Sequence, residues 1–432
     1  LPSYFEPWTK LAENLVKMIE DKQVRRKVDK MPLLDYQRLE GSKQQRLAHM
    51  YLTFIGNAYV WQEGDNGVVK IVPKQLAIPW CALSDITGLK PVISLATVSL
   101  SNYRVVDPDR PLAVDNMDTL CMYPGEEDTK HFFLLAAQVE FDALPGIKAI
   151  LDGMHGVVAG DVHAVCNALT AMKDSIKVII ARMKSMHKLV RHDVFYNVLR
   201  PFLSGWGGKG SPLPDGLIYE GVSPVPRTLS GGSQAQSSSI QCFDAALGIA
   251  HEADKQAYLD NIRNYMPPKH SQFITAVRNG PSIKQFVEKN GQAALVDASD
   301  DCVKTLRNLR SYHISLATRY ITDQIVKDGD NHKSLETRGT GGVPEFVPFL
   351  KSIRNSTVTS KEDGQQPINF DEEFDDDDDD VVDPWKVESK SAKGVDYDKL
   401  IKKFGSTRID SALIARLEKA TGKPAHHLLK RG

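Results

Sequence analysis

The chain has 432 residues, 41% of them hydrophobic, enough to bury a substantial core and to divide into two or three units. A net charge of -1 argues against a globally basic nucleic-acid binder, and five scattered cysteines without a CxxC pair fit reduced cytosolic thiols better than a disulfide framework or a zinc site. No uninterrupted apolar run reaches the roughly 18 residues needed to span a bilayer, and no signal peptide is visible, so no membrane partner is expected.

Residues 1–122 read as a small, mainly helical domain. Phe5–Met31 holds Trp8, Leu11, Leu15, Met18 and Ile19 at helical spacing, and Ser42–Trp61 carries a second stripe through Leu47, Met50, Tyr51, Phe54 and Ile55. Val69–Asp85 and Pro91–Asn102 are richer in β-branched residues and proline, which predicts short strands or extended segments. Residues 123–359 read as a larger, all-helical unit. Its first helix, His131–Leu144, is expected to stop at Pro145-Gly146. Phe132 and Ala136 are four apart there and share a face that can roof one pocket, although plain core packing is the simpler reading of the residues alone.

Gly160–Val190 carries the longest stripe, from Val162 through Val165, Leu169, Met172, Ile176, Ile179, Met183 and Met186 to Val190, as in the core of a bundle. His163 and His187 fall off it, at the surface or edge. Asp193 is expected to cap a helix holding Phe195, Tyr196, Leu199, Arg200 and Phe202. An arginine among aromatics needs a partner if buried: a structural carboxylate, or a ligand carboxylate gripped by two parallel hydrogen bonds. Phe195 and Arg200 are five apart, so they can border one cavity without sharing a helix face. Residues 204–235 form a loop rich in Gly, Pro and Ser; Lys209 precedes Gly210, so the order a phosphate loop needs is absent. Gly231-Gly232-Ser233 would let backbone approach a ligand closely. Helices are expected over Gln236–Ala250 and from Pro281-Ser282 to Gly291, with Pro267-Pro268 breaking the chain between them.

The most informative stretch is Asp300–Asp323. Cys302, Leu306, Leu309, His313, Leu316 and Tyr320 step by four and three along one stripe, so His313 points inward. Asp297, Ser299 and Asp300 supply N-cap chemistry in this reading, and Arg310 lies one turn before His313. A buried imidazole is either a satisfied core histidine or a metal ligand whose other nitrogen is held by a partner.

Several motifs decide between these readings. LRSYH at 309–313, GGSxxQSSxxQCFD at 231–244, YMPPxH at 265–270, LSGW at 203–206, DGLIYEG at 215–221 and RGTGG at 338–342 resemble the indoleamine 2,3-dioxygenase family. The likeness runs in order from Leu1 to about Thr359. It implies a mainly α, two-domain haem dioxygenase fold that inserts both atoms of O2 across the indole C2–C3 bond of L-tryptophan, giving N-formylkynurenine. The same resemblance implies one haem b per chain with His313 as its iron ligand, oriented through an Arg310–Asp244 pair. Arg200 matches the carboxylate-binding arginine, Phe195 the residue packed on the indole, and Tyr196 and Phe132 pocket walls. Gly232 and Ser233 would lie against haem and substrate, and Thr340 would reach the substrate amine or a haem propionate.

Three positions depart from the family pattern; one is Gln234, which replaces a small residue usual there and is expected to narrow the pocket. Ala136 stands where a small hydroxyl residue is common and cannot donate a hydrogen bond to O2. Leu95 stands where better-known vertebrate members carry an aromatic, a loss of stacking surface expected to lower substrate affinity. A one-electron reductant would be needed to keep the iron ferrous, and a monomer in the cytoplasm is expected. The alternative of the same fold is a non-enzymatic, oxygen-binding haem protein.

Beyond Thr359 the composition changes. Residues 360–380 read as a disordered acidic linker, with nine acidic residues in Asp371–Asp380. The last segment, 381–432, has twelve Lys/Arg against five Asp/Glu from Lys386 onward. VDPWxVxxxSAKGxDYDKLIxxFGS, IDxxLIxRxExATG and HHxLxRG there resemble the segment of eukaryotic tryptophanyl-tRNA synthetase just before its nucleotide-binding fold. No HxGH or KMS signature accompanies it, so aminoacylation is not expected. Its basic face offers a surface for RNA, against the plainer reading of a solvated helix.

Overall fold

The computed structural model describes residues 1–208, 211–327, 346–359 and 362. Thr340, the acidic linker apart from Glu362, and the segment 381–432 lie outside the described residues.

Helices dominate. Asn14 and the Asp21-Lys22 turn, where Lys22 takes φ 54°, divide Phe5–Met31 into three short helices rather than one: α1 (Glu6–Glu13), α2 (Leu15–Glu20) and α3 (Val24–Asp29). They pack around α4 (Gly41–Trp61), in which every residue from Ala48 to Trp61 is buried. A helix with no polar face over four turns has to be enclosed on all sides.

Buried in it is His49, whose Nε2 lies 3.1 Å from Ser84 Oγ; burial pushes its pKa down to about 4, with a Lys90 backbone hydrogen bond opposing. The unfolded chain takes up this proton near pH 6.5 and the folded chain only near 4, so the folded state loses stability as pH falls through that window. Urea titrations are expected to show the loss between pH 6.5 and 4, and His49→Gln to reduce it, the buried His313 imidazole contributing to the remainder.

Two of the expected extended regions are helical. β1 is only Ile71–Val72, whereas Lys74–Thr87 is helix α5 with Pro79 inside it, and Ala96–Leu100 is a π-turn. Composition misled here because Leu76, Ala77, Trp80 and Leu83 place one apolar face against α4, and that burial outweighs the one hydrogen bond that Pro79 removes. β1 runs parallel to β4 (Leu217–Tyr219), with Ile71 opposite Ile218, and β4 pairs antiparallel with β5 (Ser223–Arg227). A second pair joins β2 (Arg104–Val105) to β3 (Met117–Asp118).

The larger unit starts with α6 (Glu126–Asp142). Pro145, expected only to end it, instead opens α7 (Leu144–Ala159), where its missing N–H is no loss. Then comes α8 (Val162–Lys184), capped by Asp161, with Val165, Leu169, Met172, Ile176 and Ile179 buried along its stripe. After α9 (Met186–Leu189), the short α10 (His192–Val194) is entered from Arg191 and not capped by Asp193: the Arg191 N–H donates to Asp128 Oδ1 at 2.6 Å, and its guanidinium grips the same carboxylate. His163 is exposed and His187 half-buried, the ring of the latter 5.7 Å from that of Tyr320 and 6.0 Å from that of His192.

Next follow α11 (Ser238–Leu247), α12 (Ala253–Ile262), α13 (Pro268–Arg278) and α14 (Ile283–Asn290), the last running from the Ser282 cap to Gly291. α15 (Ala293–Ala317) begins after Gln292, so Asp297, Ser299 and Asp300 lie inside it and cap nothing. Ala293, Ala294 and Leu295 are strong helix formers that carry it back to the Gly291 turn. It ends in a π-turn, Thr318–Thr322, before α16 (Asp323–Lys327), and α17 (Phe346–Asn355) packs against it.

Among the described residues the buried apolar side chains form two cores. One runs from Phe5 through Phe133, Phe195 and Trp206 to Tyr312–Ile321 and Ile353; the other fills the space among α7, α8, α11, α13, α14 and the first half of α15. α15 leaves the second core at Leu309 and enters the first at Tyr312.

Candidate functional site at the junction of two cores

His313 is the next residue along α15 after that crossing. Burial holds its imidazole neutral, with the pKa pushed down to about 4. It nonetheless keeps accessible surface while Leu309, Leu316 and Tyr320 around it are closed off, as a side chain does on the wall of an internal space. Among the described residues no protein group hydrogen-bonds its ring. A neutral imidazole with an uncommitted lone pair is the donor that a ferrous or ferric iron takes. Among the described residues no cluster of three or more His, Cys, Asp or Glu is placed to hold a bare metal ion. An imidazole of this kind, uncommitted and on an accessible face, fits the iron of a haem.

Three residues earlier on α15, Arg310 Nη2 donates to both oxygens of Asp244, at 2.6 and 2.7 Å, and its Nη1 donates to Thr357 Oγ1. Burial pushes the Asp244 carboxyl up, and the charges of Arg310 and His251 outweigh it, holding Asp244 below the usual carboxylate range.

A second set of elements carries the other predicted residues. Phe195–Leu199 is a π-turn, and the Arg200 N–H closes it on Phe195 O. The widened turn puts positions five apart one above the other, so Phe195 and Arg200 do share a face, contrary to the expectation for an α-helix. The Phe195 ring lies 4.9 Å from that of Phe132 on α6 and 5.7 Å from that of Tyr320, two turns beyond His313. Arg200 is 1% exposed and its guanidinium sits 5.3 Å over the Tyr196 ring. Ala136, one turn on from Phe132, is buried. Phe132, the turn that carries Phe195, Tyr196 and Arg200, and the His313 helix thus meet through Phe195 and Tyr320, with Ala136 buried in the same core.

Leu95 and the Gly231 loop are tied together by a residue the sequence reading did not single out. Gln236 Oε1 accepts from the Leu95 N–H at 2.8 Å, and its Nε2 donates to Gly231 O at 2.8 Å. Asn57 does the same for the Arg200 segment: its Nδ2 donates to Phe202 O and Ser204 O, and its Oδ1 accepts from the Ile93 N–H. On the α6 face below Ala136, Glu140 accepts from Ser237 Oγ at 2.5 Å and Ser239 Oγ at 2.7 Å. Burial pushes the Glu140 carboxyl up, and the two hydroxyls oppose the shift. Apart from Gln236 and Gly231, such polar partners lie 36 to 147 residues apart and leave no periodic signal; only the QSS spacing hinted at them.

Gly231 packs tightly against the chain itself. A Cβ there would come within 2.2 Å of Leu203 O and 2.4 Å of Gly205 N, whereas one at Gly232 would meet nothing nearer than 3.9 Å. Ser233 starts the turn over Gln234–Gln236, its Oγ accepting from the Ala235 N–H at 3.3 Å. Gly231→Ala is therefore expected to cost about 1–3 kcal/mol by overpacking, and Gly232→Ala much less, as guanidinium unfolding midpoints will show.

Fold and site together define a mainly helical protein in which the His313 imidazole turns inward on α15 and the buried Arg200 guanidinium sits on a turn that shares aromatic contacts with the end of that helix. The family model for indoleamine 2,3-dioxygenase matches residues 1–360. Indoleamine 2,3-dioxygenase 2 of Homo sapiens is 39% identical over 369 residues, covering 83% of this chain and 90% of its own. Indoleamine 2,3-dioxygenase 1 of Rattus norvegicus is 40% identical over 367 residues (83% and 89%), and a protein named myoglobin from Haliotis madaka 38% over 358 (83% and 92%). The chain belongs to the indoleamine 2,3-dioxygenase family. Among the described residues no helix is long and apolar enough to cross a membrane.

Proposed function

We propose that this protein is a haem-dependent dioxygenase that opens the indole ring of L-tryptophan, with O2 as co-substrate and N-formylkynurenine as product. The observation that carries the reading is the neutral, inward His313 imidazole at the junction of the two cores, joined through Tyr320 and Phe195 to a buried arginine. Family membership supports it.

In this reading His313 holds the iron of a haem, which when bound supplies the site at which O2 is taken up and activated. Arg200 receives the substrate carboxylate in two parallel hydrogen bonds and so fixes the amino acid's orientation. Phe195, Phe132, Tyr196 and Leu95 hold the indole and keep water away. Gly232 leaves room beside the haem edge, Ser233 offers a hydroxyl there, and Thr340, outside the described residues, would reach the substrate amine or a propionate. Ala136 donates no proton, so the distal side of this chain provides shape and not acid chemistry. Both oxygen atoms enter the product as the C2–C3 bond breaks, so no electron is consumed per turnover; a one-electron reductant serves only to keep the iron ferrous.

The relative named myoglobin, together with Ala136 and Leu95, favours a second reading: an oxygen-binding haem protein without tryptophan chemistry. Purified protein supplied with haem, ascorbate, methylene blue and L-tryptophan separates the two. Kynurenine after acid hydrolysis supports the dioxygenase, and reversible oxygen uptake without product supports the alternative. The reading places the protein in the cytoplasm as a monomer, with residues 1–122 as the small domain and 123–359 as the haem-binding one. Residues 381–432 are read as a non-catalytic appendage like the synthetase segment; RNA binding lost on cutting within 360–380 would assign it a role.

A further inference from the structure

One buried group near this site has no part in the function proposed above. His251, three residues past the Gly248 turn that ends α11, has a side chain only 2% exposed. Its Nδ1 lies 2.6 Å from Ser356 Oγ and its Nε2 3.4 Å from Asp244 Oδ2, the carboxylate that Arg310 grips from the other partner's side. The hydroxyls of Ser356 and Thr357 both donate to Ile353 O, at 2.9 and 3.0 Å, which leaves the Thr357 oxygen to accept from Arg310 and the Ser356 oxygen to accept from His251 when both ring nitrogens carry a proton. One turn earlier on α15, Arg307 Nη1 donates to Glu362 Oε2 at 2.7 Å, and that oxygen also accepts from the Thr359 N–H and Oγ1. Arg307, Arg310 and His313 step by three along α15, so the corner after α17 is braced on the two turns that precede the imidazole.

A carboxylate held from one side can pivot; one held from two sides has a single orientation, and so does the arginine bonded to it. Partners of this kind set the geometry of a metal-binding imidazole even without touching it. We propose that His251 is a positioning residue for His313: through Asp244 it fixes Arg310 and the pitch of α15, and through Ser356 it locks the corner at 353–357. The proposal rests on reading His313 as a haem ligand.

Its two arms separate by substitution in the full chain. Gln places a donor where Nε2 stands, Asn places one where Nδ1 stands, and Leu offers neither. Two readouts are used: haem titration of the apoprotein by absorbance, and amide hydrogen exchange of Ser356 and Thr357 without haem. His251→Leu is expected to weaken haem affinity about tenfold and to speed exchange at the corner about tenfold. His251→Gln should keep the affinity but not the slow exchange, and His251→Asn the reverse. Haem affinity within twofold of wild type in His251→Leu overturns the proposal, as does a parallel fall of both readouts in Gln and Asn alike. Wild-type protein that takes up no haem would sink the reading of His313 and the positioning role with it, whereas wild-type uptake indifferent to residue 251 sinks the role alone.

Discussion

Purified His313→Ala protein is expected to be folded and colourless. The imidazole makes no hydrogen bond to a described protein group and is held neutral by burial, so its loss removes no charge and leaves no broken partner behind. Alanine is also the better helix former in the middle of α15. The unfolding midpoint should therefore stay near that of wild type while the haem content, read as Soret absorbance and as pyridine haemochrome after reconstitution, falls to background. Pigment and iron retained at wild-type levels would remove the basis of the functional reading.

The second large effect is at Arg200. This side chain is almost completely enclosed, stacks over Tyr196 and shares a π-turn face with Phe195. A lysine there keeps the charge but has neither the planar fork nor the stacking surface, and its compact ammonium is more costly to strip of water. If Arg200 holds a ligand carboxylate, Arg200→Lys is expected to raise KM and lower kcat/KM about 10²–10³-fold, the equivalent of about 3–4 kcal/mol, with haem content unchanged. If the arginine serves only a structural ion pair, the same variant loses thermal stability while KM stays put. Steady-state kinetics with L-tryptophan, taken beside a melting curve, tell the two apart.

Much of the helical framework is legible in the amino acids. The stripe from Cys302 to Tyr320 and the stripe from Val165 to Ile179 have the steps of buried helix faces, and both are buried in the structure except at His313. Asp244 and Arg310 meet across 66 residues, as expected from the motifs in which they sit. Less visible were the starts and stops. Pro145 opens a helix, Pro79 sits within one, and α15 begins seven residues before its apparent acidic cap, because tertiary burial overrode the local preference at each place.

Residue type and spacing alone thus determined that α15 turns an imidazole inward with an arginine one turn before it, since side-chain period is a local property of the chain. Only the tertiary structure decided which residues that imidazole faces. The π-turn at Phe195–Leu199 changes a helical face by a single hydrogen-bond register, and register there is set by packing against α6 and the Tyr320 turn. The polar anchors Asn57, Gln236, Glu140 and His251 satisfy buried groups far away in sequence, so their roles exist only once the two cores have closed.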